Sequence, residues 1–178
     1  PSGKAMRIDD VLTFMNGKTA EIMHTDAEGR LILADALCYA EQFYKPDTII
    51  DIATLTGAAA DALGRFYSII LTKNENLQKS LVELGFLTGD RVWPLPFDED
   101  YQKAIQSNVA DICNRAPVRY RAGAIHAACF LKEFVSNPNW VHIDIAGTSD
   151  CVPVNYLDKG SSGAGIRLMI EFILNYNK

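Results

Sequence analysis

With 178 residues, 48% apolar and 22% charged, the chain has the balance of an ordinary globular protein and the length for one domain with a sizeable core. A net charge of −5 and a sequence pI near 5.1 argue against a nucleic-acid partner, and no run approaches the ~20 uninterrupted apolar residues of a membrane span. The opening Pro1-Ser2-Gly3-Lys4 lacks the apolar core of a signal peptide.

In chain order, short β-rich runs alternate with helical ones, the pattern of an α/β sheet. Thr19 to Met23 alternates as a half-buried strand, and from Gly29 the period changes to that of a helix ending near Tyr44. Thr48 to Ala53 is apolar and β-branched, as expected of a central strand. A small-residue helix over Ala58 to Leu63, closed by Gly64, and a strand over Phe66 to Leu71 follow, then an amphipathic helix over Asn74 to Leu87. Arg91 to Phe97 holds two extra-helical prolines and is expected to be irregular, Tyr101 to Ser107 helical, and Ala110 to Tyr120 a long loop. Ala124 to Phe134 is an apolar helix and Trp140 to Ile145 a buried strand. The last helix spans about Gly163 to Tyr176, with Ile166, Met169, Ile170, Ile173 and Leu174 inward. No low-complexity linker divides the chain, so it is read as one domain, α/β, with a mostly parallel or mixed central sheet flanked by helices on both faces.

The four cysteines, Cys38, Cys113, Cys129 and Cys151, form no C-x-x-C pair, which argues against zinc ribbons and thioredoxin chemistry. Cys38 and Cys129 fall in apolar helical patterns and are expected as free buried thiols, a usage that fits a reducing cytoplasm. The tetrapeptide Ile-Asp-Ile-Ala occurs at 50–53 and 143–146, which suggests neighbouring strands. In open α/β sheets, sites form beyond the carboxyl ends of strands, so the loops 24–28, 54–57 and 146–149 are expected to meet at one edge.

The chemically informative stretch is His24-Thr25-Asp26-Ala27-Glu28-Gly29-Arg30. If the strand-to-helix connection is extended, Asp26 and Glu28 point to one side, where two carboxylates suit a hard or borderline divalent cation. The helix that follows offers its positive end, and Arg30 a permanently charged fork for a planar anion or developing oxyanion. Taken alone, the pair also fits first-turn acids with Arg30 as their surface salt bridge.

The complete string changes that balance. His24-Thr25-Asp26-Ala27-Glu28-Gly29-Arg30-Leu31 resembles the signature octapeptide of the leucyl aminopeptidase (cytosol aminopeptidase) family, Asn-Thr-Asp-Ala-Glu-Gly-Arg-Leu, at seven of eight positions. The resemblance continues through Leu33-Ala34-Asp35-Ala36-Leu37, Asp51-Ile52-Ala53-Thr54-Leu55-Thr56-Gly57, Ala62-Leu63-Gly64, Val92-Trp93-Pro94-Leu95-Pro96 and Asp144-Ile145-Ala146-Gly147. It implies the C-terminal part of a catalytic domain that removes N-terminal, preferably leucine-like, residues from peptides. Asp26 and Glu28 would be metal ligands, Glu28 bridging two divalent ions (zinc, manganese or magnesium), and Arg30 would assist catalysis through bound bicarbonate. A metal-bound water would attack the metal-polarised carbonyl. Thr54, Leu55, Gly57 and Ala146 would line the substrate site. Cytoplasmic localisation and assembly into homohexamers are implied as well.

Two departures stand out. His24 replaces the family asparagine, and reads as an extra ligand, a pH-sensitive neighbour or a hydrogen-bonding residue. The family's further ligands, a lysine and two aspartates, and a second lysine, lie in motifs preceding this region, and no segment here matches them. The chain is therefore expected to be part of a longer polypeptide, with the metal site incomplete in it. The alternative is an oligomerising, catalytically incomplete interaction module. Nucleotide binding at Thr54-Leu55-Thr56-Gly57 lacks both the G-x-G-x-x-G and Walker patterns. His126 and His142 read as core residues, Asp51 and Asp144 as hydrogen-bonding strand carboxylates, and Ser161-Ser162-Gly163 as loop and cap.

Overall fold

The structure, a computed structural model, describes residues 2–150 and 159–176. They form a mixed α/β architecture with two compact units, each assembled from two stretches of chain: 1–47 with 97–137, and 48–96 with 138–178. No flexible linker marks the crossings. Instead Pro46, Pro96 and Pro138 stand within two residues of them.

In the first unit, strands β1 (Val11–Thr13) and β2 (Thr19–Glu21) form an antiparallel hairpin, and β6 (Ile112–Cys113) joins β2 in parallel. Asn16-Gly17 turns the hairpin, with Gly17 at φ +85°. Helix α1 (Gly29–Tyr44) buries Leu31, Ala34, Leu37 and Cys38, a stripe at helical spacing. It packs on α5 (Gly123–Lys132), which is buried continuously from Ala124 to Leu131. Phe14, Phe130 and Phe134 form a ring cluster with centroids 4.7–6.0 Å apart. The short helix α4 (Glu99–Gln102) lies against α5 and is capped by the Asp98 side chain.

In the second unit, β3 (Ile49–Ala53), β4 (Ser68–Leu71), β5 (Val92–Pro94) and β7 (Trp140–Asp144) form one sheet in the order β3-β7-β4-β5. β3 runs parallel to β7, β4 antiparallel to it, and β5 parallel to β4. The two Ile-Asp-Ile-Ala strands are indeed neighbours, offset by two residues: Asp51 lies opposite His142, and Asp144 opposite Ala53. An even offset keeps each side chain on its own face. One face sends Ile50, Ile52, Ile70, Val141 and Ile143 into a core shared with α3 (Glu75–Thr88) and α6 (Ile166–Asn175). Asn74 caps α3 by accepting from Leu77 N at 3.0 Å. Helix α2 (Gly57–Leu63) completes the unit.

Several expectations change. The single central sheet is two mixed sheets. Residues 92–94 are a strand despite Pro94, because β5 is an edge, where a missing N–H leaves no ladder bond unmade. The 110–120 loop contains β6 and a 3₁₀ turn, Val118–Tyr120, and helix 101–107 shrinks to α4 followed by a 3₁₀ turn, Lys103–Ile105. On α6, Leu168 and Phe172 face inward with Met169 partly covered, whereas Ile166, Ile170, Ile173 and Leu174 are 55–69% exposed. This helix is apolar on two faces, so periodicity alone could not choose between them. Cys38, Cys113 and Cys129 are buried free thiols, and Cys151 lies outside the described residues.

Two measurements follow. Leu168→Ala should lower unfolding free energy by about 2–5 kcal/mol in urea titrations, while Ile173→Ala should stay within about 0.5 kcal/mol of wild type. Equal losses would return Ile173 to the core. The second concerns His126, buried on α5 between the rings of Tyr101 and Tyr120. Burial lowers its pKa and the Arg30 charge adds to this, against a hydrogen bond to the Arg121 backbone that raises it. The unfolded chain then takes up a proton more readily than the folded one. Stability is fully present above the unfolded value of about 6.5 and is lost as pH falls from there toward the lower folded pKa. Between about pH 7 and pH 5 the wild-type urea midpoint should fall more steeply than that of His126→Gln; parallel curves would count against this.

Candidate functional site

The stretch that follows β2 is not extended. Ala27 N donates to His24 O at 3.3 Å, closing a turn, and Glu28 is the N-cap of α1 with helical dihedrals, φ −77° and ψ −32°. The expectation that alternation along an extended chain aligns Asp26 with Glu28 is therefore replaced. A tight turn running straight into a helix sets their directions instead.

That turn is held by one buried side chain. Asn114, fully buried just beyond β6, accepts through Oδ1 from Met23 N at 2.8 Å and His24 N at 3.2 Å. Its Nδ2 donates to His24 O at 2.7 Å and Ala27 O at 3.4 Å. Its backbone N–H donates to Glu21 O at 2.9 Å, and its carbonyl accepts from Arg30 Nη1 at 2.7 Å. Sequence reading passed over Asn114. Its side-chain and carbonyl partners at Met23, His24, Ala27 and Arg30 are 84–91 positions away, and a two-residue strand carries no periodic signal.

Asp26 and Glu28 are exposed, and the side chain of neither has a hydrogen bond or ion pair with a described residue. Arg30 is not their surface salt bridge, since it is 7% exposed and turned to the Asn114 carbonyl. As hard oxygen donors with no cation already neutralising them, the two carboxylates suit divalent metal in kind. Their number falls short, because the described residues contain no group of three or more metal-ligating side chains. His24 is half-buried beside them, its backbone tied to Asn114.

In the second unit, the loops after the parallel strands β3 and β7 are joined by Asp144, which is fully buried. Its Oδ1 accepts from Leu55 N at 3.1 Å, Thr56 N at 3.4 Å and Ala146 N at 3.1 Å, and its Oδ2 from Thr56 Oγ1 at 2.7 Å. This brings the 54–57 loop and Ala146 together, leaving Thr54 and Gly57 exposed and Leu55 and Ala146 half-buried. Gly147 seals the arrangement: a Cβ there would lie 2.4 Å from Gly64 O, so no larger residue fits without backbone movement.

Asp51 is bonded through Oδ1 to His142 Nδ1 at 2.5 Å and accepts at Oδ2 from Trp140 Nε1 at 2.8 Å. Both strand aspartates thus hold the sheet and its loops together. Ser162 donates to Thr148 O at 2.5 Å and accepts from Ala164 N at 3.1 Å, serving as a loop anchor. Among the described residues no helix is long and apolar enough to cross a membrane.

Comparison with known proteins identifies the family. The sequence model for the cytosol aminopeptidase family, catalytic domain, matches residues 1–170. A protein named probable cytosol aminopeptidase from Pseudomonas fluorescens (strain Pf0-1) is 47% identical over 178 residues, covering 100% of this chain and 35% of its own length. Its namesake from Rickettsia peacockii (strain Rustic) is 43% identical, covering 99% and 36%. The structure of a mutant tomato leucine aminopeptidase superposes with a TM-score of 0.89 at 40% identity, covering 98% of this chain and 33% of that one. The chain thus spans about a third of the length of the relatives it matches. On the family match over nearly all its residues, the chain belongs to the cytosol aminopeptidase family, a family of peptidases.

Proposed function

We propose that this chain is part of a two-metal aminopeptidase that removes N-terminal, preferably leucine-like, residues from peptides in the cytoplasm. The observation that carries the reading is the pair of exposed carboxylates, Asp26 and Glu28, without side-chain partners among the described residues, on a turn anchored by a fully buried asparagine. Exposed acids are ordinary; acids on a backbone this firmly tied leave it at positions set before any ligand arrives. The names of the relatives add support.

Asp26 and Glu28 would hold the metal, Glu28 shared between two ions and Asp26 serving one, with zinc, manganese or magnesium all suited to carboxylate oxygen. The ions, when bound, supply Lewis-acid polarisation of the scissile carbonyl and activation of water. Arg30, buried and fixed by the Asn114 carbonyl, keeps a permanent positive charge beside the turn. That charge suits holding a bicarbonate ion, through which proton transfer is assisted. Thr54, Leu55, Gly57 and Ala146 would bind the substrate, their positions set by the Asp144 carboxylate. Small side chains at 57 and 146 leave room for a leucine-sized group. With two ligands from this chain, the remaining ligands come from elsewhere in the full-length polypeptide.

A second reading, a catalytically incomplete module acting through assembly into hexamers, draws on the exposed apolar row Ile166, Ile170, Ile173 and Leu174 of α6. It predicts no metal dependence on Glu28. In the full-length polypeptide, Glu28→Ala should lose at least one bound ion and abolish leucyl-amide hydrolysis, because a shared carboxylate serves both metals. Metal analysis showing both ions retained with near-normal turnover would remove Glu28 from the site and leave the module reading.

A further inference from the structure

We infer that Asn114 is a positioning residue of the metal site, holding the Asp26–Glu28 turn in its ligating shape and orienting Arg30 through its own carbonyl. The inference rests on the metal-binding reading above and extends it to a residue that touches no metal.

Asn114 Oδ1 faces two backbone N–H donors, those of Met23 and His24, while its Nδ2 faces two carbonyl acceptors, those of His24 and Ala27. Only a side chain with an acceptor and donors on the same planar group satisfies both sides at once. Aspartate would keep the two N–H bonds and set a carboxylate oxygen against the His24 carbonyl. Leucine, of similar volume, would leave four part-buried backbone bonds without their partner. The chemistry of the site therefore selects asparagine.

The bonds also fall at informative places. Those at 23 and 24 fix the chain as it leaves β2, and the one at Ala27 fixes it immediately before Glu28. Asp26 lies between the anchored positions, and Glu28 lies between Ala27 and the first turn of α1. The same residue's backbone carbonyl receives Arg30 Nη1, so turn and guanidinium are referred to a single residue. Asn114 is itself held by its N–H bond to Glu21 O and by the parallel pairing of β6 with β2. A ligand-bearing turn fixed in this way does not have to be ordered by the metal, and groups that orient ligands typically contribute about 10–100-fold to metal affinity or activity.

The test uses the full-length polypeptide, with Mn2+ as the probe, in wild type, Asn114→Ala and Asn114→Asp. In wild type the Met23 amide, which lies outside any strand, should be protected from hydrogen exchange about a hundredfold or more by its bond to the Asn114 amide. Free exchange there overturns the inference without any variant. In both variants Mn2+ affinity should fall about 10–100-fold. At saturating Mn2+, kcat should fall while KM for a leucyl amide stays within about twofold, since the substrate loops are untouched. Faster exchange in the variants with unchanged Mn2+ affinity and kcat would make Asn114 a merely structural residue. Should Asn114→Ala fail to fold, Asn114→Asp, which keeps both N–H bonds, carries the same readouts. Glu28→Ala in parallel separates the two ideas. If it keeps both ions, the metal reading itself fails; if it loses them while the Asn114 variants do not, only this inference fails.

Discussion

A chain that leaves the end of a β-strand loses its ladder partners but not its need for them. Where the departing segment is buried, each N–H and C=O must be satisfied from somewhere else or cost about 1–3 kcal/mol. In this protein two side chains meet that demand at the places where the chemistry is proposed. Asn114 takes the backbone of 23, 24 and 27 after β2, and Asp144 takes the backbone of 55, 56 and 146 after β3 and β7. Both are fully buried. The shapes of the loops follow from these bonds more than from the loops' own sequences.

The choice of side chain at each place follows from the groups presented. The 23–27 turn offers both donors and acceptors, which an amide matches. The loops around Asp144 offer three backbone N–H groups and a hydroxyl, all donors, which a carboxylate matches while keeping its charge hydrogen-bonded in a dry place. The residues proposed to ligate metal and bind substrate are thereby left exposed or half-buried, while the groups that hold them are inside. Such a division leaves Asp26 and Glu28 without side-chain partners among the described residues, as the proposed cation site requires.

Much of this was legible in the sequence. The change of period at Gly29, the β-branched run at 49–53, Gly64 closing a small-residue helix and Asn74 opening another all mark elements that formed where local chemistry put them. Asp26, Glu28 and Arg30 stood out as candidates because they fall within one eight-residue string that resembles a family signature. What escaped shares one physical cause: it depends on residues far apart in the chain. β5 is a strand because it lies at an edge, and β6 because β2 is beside it. Asn114 matters because of partners some ninety residues away. The inward face of α6 is decided by what it packs on, Leu81 and Ile143 among others, and not by its own pattern. The extended shape assumed for 24–28 failed because a local turn bond competes with extension, and the Asn114 bonds favour the turn.

The account stands or falls on where divalent metal sits. Anomalous diffraction at the zinc edge, from crystals of the full-length polypeptide loaded with Zn2+, locates it directly. The account predicts two peaks with Glu28 carboxylate oxygens about 2.0–2.2 Å from both and an Asp26 oxygen at the same distance from one. It also predicts that the Asn114 bonds to Met23 and His24 are intact in the same maps. Zinc bound elsewhere, with Asp26 and Glu28 both facing open solvent, would contradict it.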